Sequence, residues 1–231
     1  MKLIKKVIRY ILLAVLLITV TVIAGGWGKY KQAVAQKSID LVVSEIRSSE
    51  NFTKYSEISK TFIKAMVAVE DRRFYKHKGV DIKGIGRAIK FNIESKQIVQ
   101  GGSCITQQLA KNMYFMNDDS ITRKVAEVFA AIEIEKRYSK EEILELYFNV
   151  IYYGNGYYSI REAAEGYFEK APDTMTDYEA TLLAGVPNAP SVYSPKRSMK
   201  LAKQRQKTVV SAMVDMKYLT KKEAEDILSQ Q

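Results

Sequence analysis

The sequence predicts a mainly α-helical domain carried behind one N-terminal transmembrane helix. Three observations carry that prediction: an uncharged apolar run near the start, four Ser/Thr-x-x-Glu capping boxes further on, and apolar residues recurring at helical rather than alternating spacing. Strand signals are few, and Ile98-Val99 is too short to support one.

The apolar run comes first. Lys2, Lys5, Lys6 and Arg9 precede Tyr10–Gly28, which holds no charge, and no acid occurs before Asp40. At ~1.5 Å per residue the run reaches ~28 Å, close to the hydrocarbon thickness of a bilayer. Leu12, Leu13, Leu16, Leu17, Ile18 and Ile23 leave it no polar face, which argues against a helix lying in the interface. A cleaved signal peptide is the competing reading. Ala33-Val34-Ala35 has the small-x-small form of a cleavage site, but it lies far beyond the run. Residues 1–9 are therefore expected as a basic cytoplasmic tail, 10–28 as a single membrane span, and everything after Gly28 as extracytoplasmic. Residues 29–50 read as a polar, weakly helical linker, and residues 51–231 as the domain proper.

Composition narrows the chemistry. The 231 residues are 47% hydrophobic and 27% charged, which argues against long-range disorder. Lys and Arg total 36 against 26 Asp and Glu, a net charge of +10, with one His and one Cys. That excludes a multi-His zinc site, a Cys cluster and an intramolecular disulfide. Acids and bases of an enzyme would be carboxylates, with Lys and Arg as electrostatic partners. A basic exported domain tethered to a membrane faces anionic head groups, phosphates or acidic polymers. Nucleic acid is not expected as a partner, because the topology is wrong and no recognised nucleic-acid motif appears.

Along the domain, Ile58, Phe62, Ala65, Met66 and Val69 form one helical stripe following Ser56. Ile121, Val125, Val128, Phe129 and Ile132 form another, and Ile143, Leu144 and Tyr147 a third. The capping boxes pair Ser139 with Glu142, Ser159 with Glu162, Thr176 with Glu179, and Thr220 with Glu223. Gly154-Asn155-Gly156 reads as a tight turn among Tyr147, Tyr152, Tyr153, Tyr157 and Tyr158, either packing aromatics or a sugar-stacking groove.

Three places break this pattern. Glu70-Asp71-Arg72-Arg73-Phe74 follows the end of an apolar stripe, putting acids where the helix dipole opposes them. A solvated helix end is the plain account; a desolvated carboxylate serving as general base is the other. Gly101-Gly102-Ser103 precedes Cys104-Ile105-Thr106-Gln107-Gln108, with Ser103 as the expected cap and Ser103, Gln107 and Lys111 on one polar face. Open N–H groups there suit an anion, although an ordinary amphipathic helix gives the same pattern. Arg123 and Glu127 share a helical face, either as a surface pair or as the second carboxylate of a sugar chemistry. A Cys104–His77 hydrolase dyad has no supporting motif.

Taken in order, Glu70-Asp71-Arg72-Arg73-Phe74 with His77-x-Gly79, Gly101-Gly102-Ser103-x-Ile105-Thr106-Gln107-Gln108-x-x-Lys111-Asn112, and Arg123-Lys124-x-x-Glu127 resemble the first motifs of the peptidoglycan glycosyltransferases, glycosyltransferase family 51, the glycosyltransferase domain of class A penicillin-binding proteins. Ile143-Leu144-x-x-Tyr147-x-Asn149, Tyr153-Gly154-x-Gly156-x-Tyr158, Ala163-Ala164-x-x-Tyr167-Phe168 and Leu182-Leu183-Ala184-Gly185 continue the resemblance, which spans roughly residues 50 to 215. Cys104 stands where Thr is usual, Ser159 where Gly is frequent, Glu169 where Gly normally follows Tyr-Phe, and Asp119 where some relatives are basic.

The resemblance implies a lysozyme-like fold with a head lobe and a membrane-facing jaw lobe near residues 80–118. It implies polymerisation of lipid II into glycan strands, with inversion and release of lipid pyrophosphate. Glu70 matches the general base and Glu127 a second catalytic carboxylate, also a candidate ligand for a divalent cation (Mg or Mn). Lys111 and Arg123 match pyrophosphate-binding positions, and Asp71, Ser103 and Gln108 shape the same cleft. No organic cofactor is expected. Expected partners are lipid II, the nascent strand and membrane lipids, with penicillin-binding proteins or division and elongation proteins as candidates. No Ser-x-x-Lys or Lys-Ser/Thr-Gly occurs, so the expectation is a monofunctional enzyme without transpeptidase activity. The alternatives are a lytic, muramidase-like enzyme that cleaves glycan and an inactive membrane-anchored scaffold.

Overall fold

The computed structural model describes residues 2–95 and 102–230. Ile98, Val99 and Gly101, and with them part of the expected jaw lobe, lie outside the described residues. Among the described residues the structure is helical, with no strand.

The first helix, α1 (Lys2–Gln36), carries the apolar run and is long and apolar enough to cross a membrane. It does not stop at Gly28. Its last turns pack on the domain, where Tyr30 is buried and Trp27 meets Phe129 edge-on at 4.9 Å between ring centroids. The close approach depends on Gly26: a Cβ there would lie 2.4 Å from Val125 Cβ. Lys29 seals the contact with an ion pair to Asp118 and a 2.9 Å bond to Ser120 Oγ.

The expected polar linker is corrected in the same region. After Ser38 caps it, α2 (Ile39–Arg47) buries Ile39, Val42 and Val43 in the domain core. Ile39, Val42, Val43 and Ile46 follow i, i+3, i+4, i+7, an amphipathic stripe hidden by the polar composition around it.

A short 3-10 turn at Tyr55–Glu57 precedes α3 (Lys60–Glu70), which starts at the Ser59 cap rather than at Ser56. Phe62, Ala65, Met66 and Ala68 are fully buried, and Phe62 meets Phe148 edge-on at 5.1 Å. This helix is central because its sides pack on α9 (Asp177–Gly185) and α11 (Pro195–Asp215). Next come α4 (Ile82–Ser95), α5 (Ile105–Tyr114) and α6 (Ile121–Arg137). Helices α7 (Lys140–Phe148), α8 (Ile160–Phe168) and α12 (Lys221–Ser229) all begin where a capping box was read, as does α9. The box is reciprocal at Ser139, Thr176 and Thr220. At Ser159 only half of it forms, because Glu162 turns to the backbone N–H of Tyr158. The short α10 (Pro190–Tyr193) links α9 to α11, which is interrupted at Ser198.

The Gly154-Asn155-Gly156 turn has φ of 83°, 55° and 85°, the left-handed region that favours glycine. At Gly154 a Cβ would also meet Pro190 O at 2.9 Å. Tyr147 and Tyr153 are fully buried and Tyr157 packs against the core, while Tyr158 is exposed; Tyr152 alone of the five reaches the cleft described next.

Candidate active site

A cleft of about 890 Å³ opens between the end of α3, the start of α5, the first turns of α6 and the middle of α11. All seven residues singled out in the sequence line it: Glu70, Asp71, Ser103, Gln108, Lys111, Arg123 and Glu127.

Glu70 is the last residue of α3. Loss of solvent around it raises its carboxyl pKa, and Asp71 beside it adds to the effect; the Gln108 amide and the Arg205 charge oppose it. Gln108 Nε2 donates to Glu70 Oε2 at 2.9 Å. The half-buried carboxylate therefore sits where the helix dipole and partial loss of solvent disfavour charge, with one hydrogen bond partly offsetting both.

Asp71 caps α3 and does a different job. Its Oδ2 accepts the backbone N–H of Ile105 at 3.1 Å and lies 2.8 Å from His77 Nε2. Both side chains are buried, so Asp71 braces the end of α3 against the start of α5. Cys104 Sγ donates to Gly79 O at 3.2 Å, and burial pushes its thiol pKa up to about 12. That thiol is a packed group and no nucleophile, which disposes of the dyad. Asp71, His77 and Cys104 do bring one candidate donor each within 4.8 Å of one another. Their oxygen, Nε2 and sulfur atoms are already committed to internal hydrogen bonds, so the group fits a structural cluster better than a ligand set.

The start of α5 differs from expectation. Cys104, not Ser103, occupies the N-cap position. Ser103 Oγ instead accepts from Lys124 Nζ at 2.6 Å. Gln107 does not share the cleft face; it is buried and donates to Gly79 O at 3.0 Å. The helix is rotated so that Cys104, Gln108 and Lys111 face the cleft.

Helix α6 supplies the facing charges. Glu127 is 1% exposed, with Lys124 Nζ at 2.6 Å from Oε2 and Arg123 Nε at 3.4 Å from Oε1. Arg123 Nε and Glu127 Oε1 are buried and lack a well-formed hydrogen bond. A resident divalent cation on Glu127 does not fit this donor set: one carboxylate, already flanked by two cations, would hold it.

Lys124 and Arg205 line the cleft although the sequence assigned them no role. Lys124 had a signal, since it stands three before Glu127 and inside the Arg123-Lys124-x-x-Glu127 motif. Arg205 had none: among Lys196, Lys200, Lys203 and Lys207 it reads as one more solvated base. Folding turns its Nε inward, where it is buried with no hydrogen-bond partner among the described residues, and its charge reaches Glu70. Asp119 is exposed and does not line the cleft, while its neighbour Asp118 is held by Lys29 well below the usual carboxylate range.

A strip of cations facing a carboxyl of raised proton affinity is the arrangement the motifs pointed to, and comparison with known proteins decides the family. Residues 39–214 match the family described as Transglycosylase. The chain belongs to the Transglycosylase family. Among curated Transglycosylase relatives, penicillin-binding protein 1F of Bacillus subtilis is 41% identical over 191 residues, covering 83% of this chain and 27% of its own length. Penicillin-binding protein 2D of Bacillus subtilis is 44% identical over 174 residues, covering 75% of this chain and 25% of its own. Penicillin-binding protein 1A of Neisseria gonorrhoeae is 42% identical over 180 residues, covering 78% and 23%. The chain thus spans about a quarter of these Transglycosylase relatives, and its helical, lysozyme-like domain is the part they share.

Proposed function

We propose that this chain is a peptidoglycan glycosyltransferase that polymerises lipid II into glycan strands during cell-wall synthesis. One observation carries the reading: a single cleft joins Glu70, whose proton affinity is raised, to Lys111, Arg123, Lys124 and Arg205. The acceptor sugar hydroxyl gives its proton to Glu70 as its oxygen attacks the donor anomeric carbon. The bond from that carbon to the pyrophosphate oxygen breaks, the configuration inverts, and lipid pyrophosphate leaves. Negative charge grows on the leaving oxygens, and fixed cations lower the barrier where it grows. Lys111 and Arg123 serve that end of the cleft, and Lys124 joins them, anchored by Ser103 and Glu127. Glu127 acts by holding these cations in place. Gln108 steadies the base, and Asp71 keeps the two walls in register. A Mg or Mn ion carried in on the pyrophosphate belongs to the substrate; none of these steps needs a resident metal.

The lytic alternative loses support from the same cations, because glycan cleavage develops no pyrophosphate charge. In this reading α1 is a single-pass anchor, its basic tail is cytoplasmic and the domain is extracytoplasmic. Ile82 and Ile93 of α4, 78% and 71% exposed, give a jaw segment apolar side chains to place against the bilayer. The nascent strand and membrane lipids are the immediate partners. Penicillin-binding or division and elongation proteins would act on the product. Incubating the purified chain with lipid II tests the reading: polymer supports it, and shortening of preformed glycan without polymer supports the lytic enzyme instead.

A further inference from the structure

Tyr147 touches the base only through another residue. It lies on α7, is fully buried, and its hydroxyl donates to Gln108 Oε1 at 2.8 Å. A buried tyrosine hydroxyl must place its proton on an acceptor, and Gln108 Oε1 is the acceptor it reaches among the described residues. With that oxygen committed, the other end of the amide turns its N–H groups to Glu70, donating to Oε2 at 2.9 Å.

We propose that Tyr147 is a positioning residue for the general base: by fixing which way the Gln108 amide points, it guarantees Glu70 a hydrogen-bond donor and so favours its ionised form. The inference rests on the reading of Glu70 as the base. Turned the other way, Gln108 would aim an oxygen at Glu70, an arrangement favourable only when Glu70 carries a proton. Tyr147→Phe removes one oxygen, leaves the ring in the core, and frees the amide to take either orientation.

The remaining groups around Glu70 would be unchanged by that substitution. Asp71 lies beside it, and Arg205 faces it from α11. Lys111 on α5 and Arg123, Lys124 and Glu127 on α6 line the same cleft, as does Arg72 after α3. Fixed charges cannot distinguish the variant from the parent; the amide can.

The test is the pH dependence of kcat/KM for lipid II polymerisation by the full chain. In Tyr147→Phe the acid limb should move up by about one pH unit, the scale expected for weakening one hydrogen bond to a charged group. The loss should be deepest at low pH and shrink on the alkaline plateau. Gln108→Met should shift the limb at least as far. Tyr147→Phe added to Gln108→Met should shift it no further, because Tyr147 acts through Gln108. A uniform loss at every pH with an unmoved limb would reduce Tyr147 to a packing residue and overturn the proposal, as would additive shifts in the double variant.

A second readout needs no turnover. The infrared carboxyl band lost in Glu70→Gln reports Glu70 protonation directly, and in Tyr147→Phe it should titrate at higher pH. If that shift is seen but the parent makes no polymer, the functional reading fails and the positioning role stands. If polymer forms and the band does not shift, the positioning role fails alone. Should Tyr147→Phe not fold, an unshifted band in Gln108→Met overturns the proposal by itself.

Discussion

Lys124 Nζ lies 2.6 Å from Glu127 Oε2, one turn along α6, and the same nitrogen lies 2.6 Å from Ser103 Oγ at the start of α5. This contact ties the two cleft walls together through a cation. It fits the role proposed for Glu127, since a carboxylate in contact with Lys124 and Arg123 is placed to hold positive charge.

Glu127→Gln should therefore lower polymerisation on the order of 100-fold, the scale of losing one preorganised electrostatic contact in a transition state. Lys111→Ala should also lower turnover severely. Both variants should keep the circular dichroism of the parent. Full activity in either one would remove its residue from the mechanism.

The raised pKa of Glu70 has a sign that stability measurements can read. A carboxyl that binds its proton more tightly when folded favours the native state at low pH. That advantage is lost as pH rises through the folded-state pKa. At neutral pH the ionised Glu70 is thus a burden on folding. Glu70→Gln should melt at a higher temperature than the parent at neutral pH, and the gap should close below about pH 4, where the unfolded carboxyl is protonated as well. Equal melting temperatures across the range would contradict a desolvated Glu70.

Gly26→Leu should lift the end of α1 from α6, since even a Cβ would lie 2.4 Å from Val125 Cβ. Trp27 is the one tryptophan in the chain and sits against Phe129, so its fluorescence reports the contact. The emission maximum should shift in Gly26→Leu while the protein remains in the membrane fraction. An unchanged spectrum would mean that α1 does not dock there.

Ser139→Ala removes the side chain that accepts from the backbone N–H of Glu142 at the start of α7. The expected cost is about 1 kcal/mol, which lowers the melting temperature of a domain this size by about 2–4 °C. A calorimetric scan showing no change would mean that the cap contributes nothing.

Much of this architecture was legible in the sequence because its signals are local. Ser139, Thr176 and Thr220 announce helix starts three residues ahead of the glutamates that complete them, and the structure places helices there. The motif residues were legible as a set, and one cleft collects them. What escaped depends on contacts distant along the chain. The linker reading failed because Ile39, Val42 and Val43 become apolar core only once α7 is present to cover them. Ser103 looked like a cap, and only the arrival of Lys124 from α6 shows where its hydroxyl goes. Arg205 was invisible because nothing local separates an inward base from the solvated lysines beside it.

In the proposed mechanism Glu70 takes the proton from the acceptor hydroxyl. The most direct test of that step is lipid II polymerisation by the full chain and by Glu70→Gln, under conditions where both are folded. Glycan polymer is expected from the parent, with a loss of 10² to 10⁴, roughly the contribution of a positioned base, in the variant. Polymer made at the parental rate by Glu70→Gln would contradict that step.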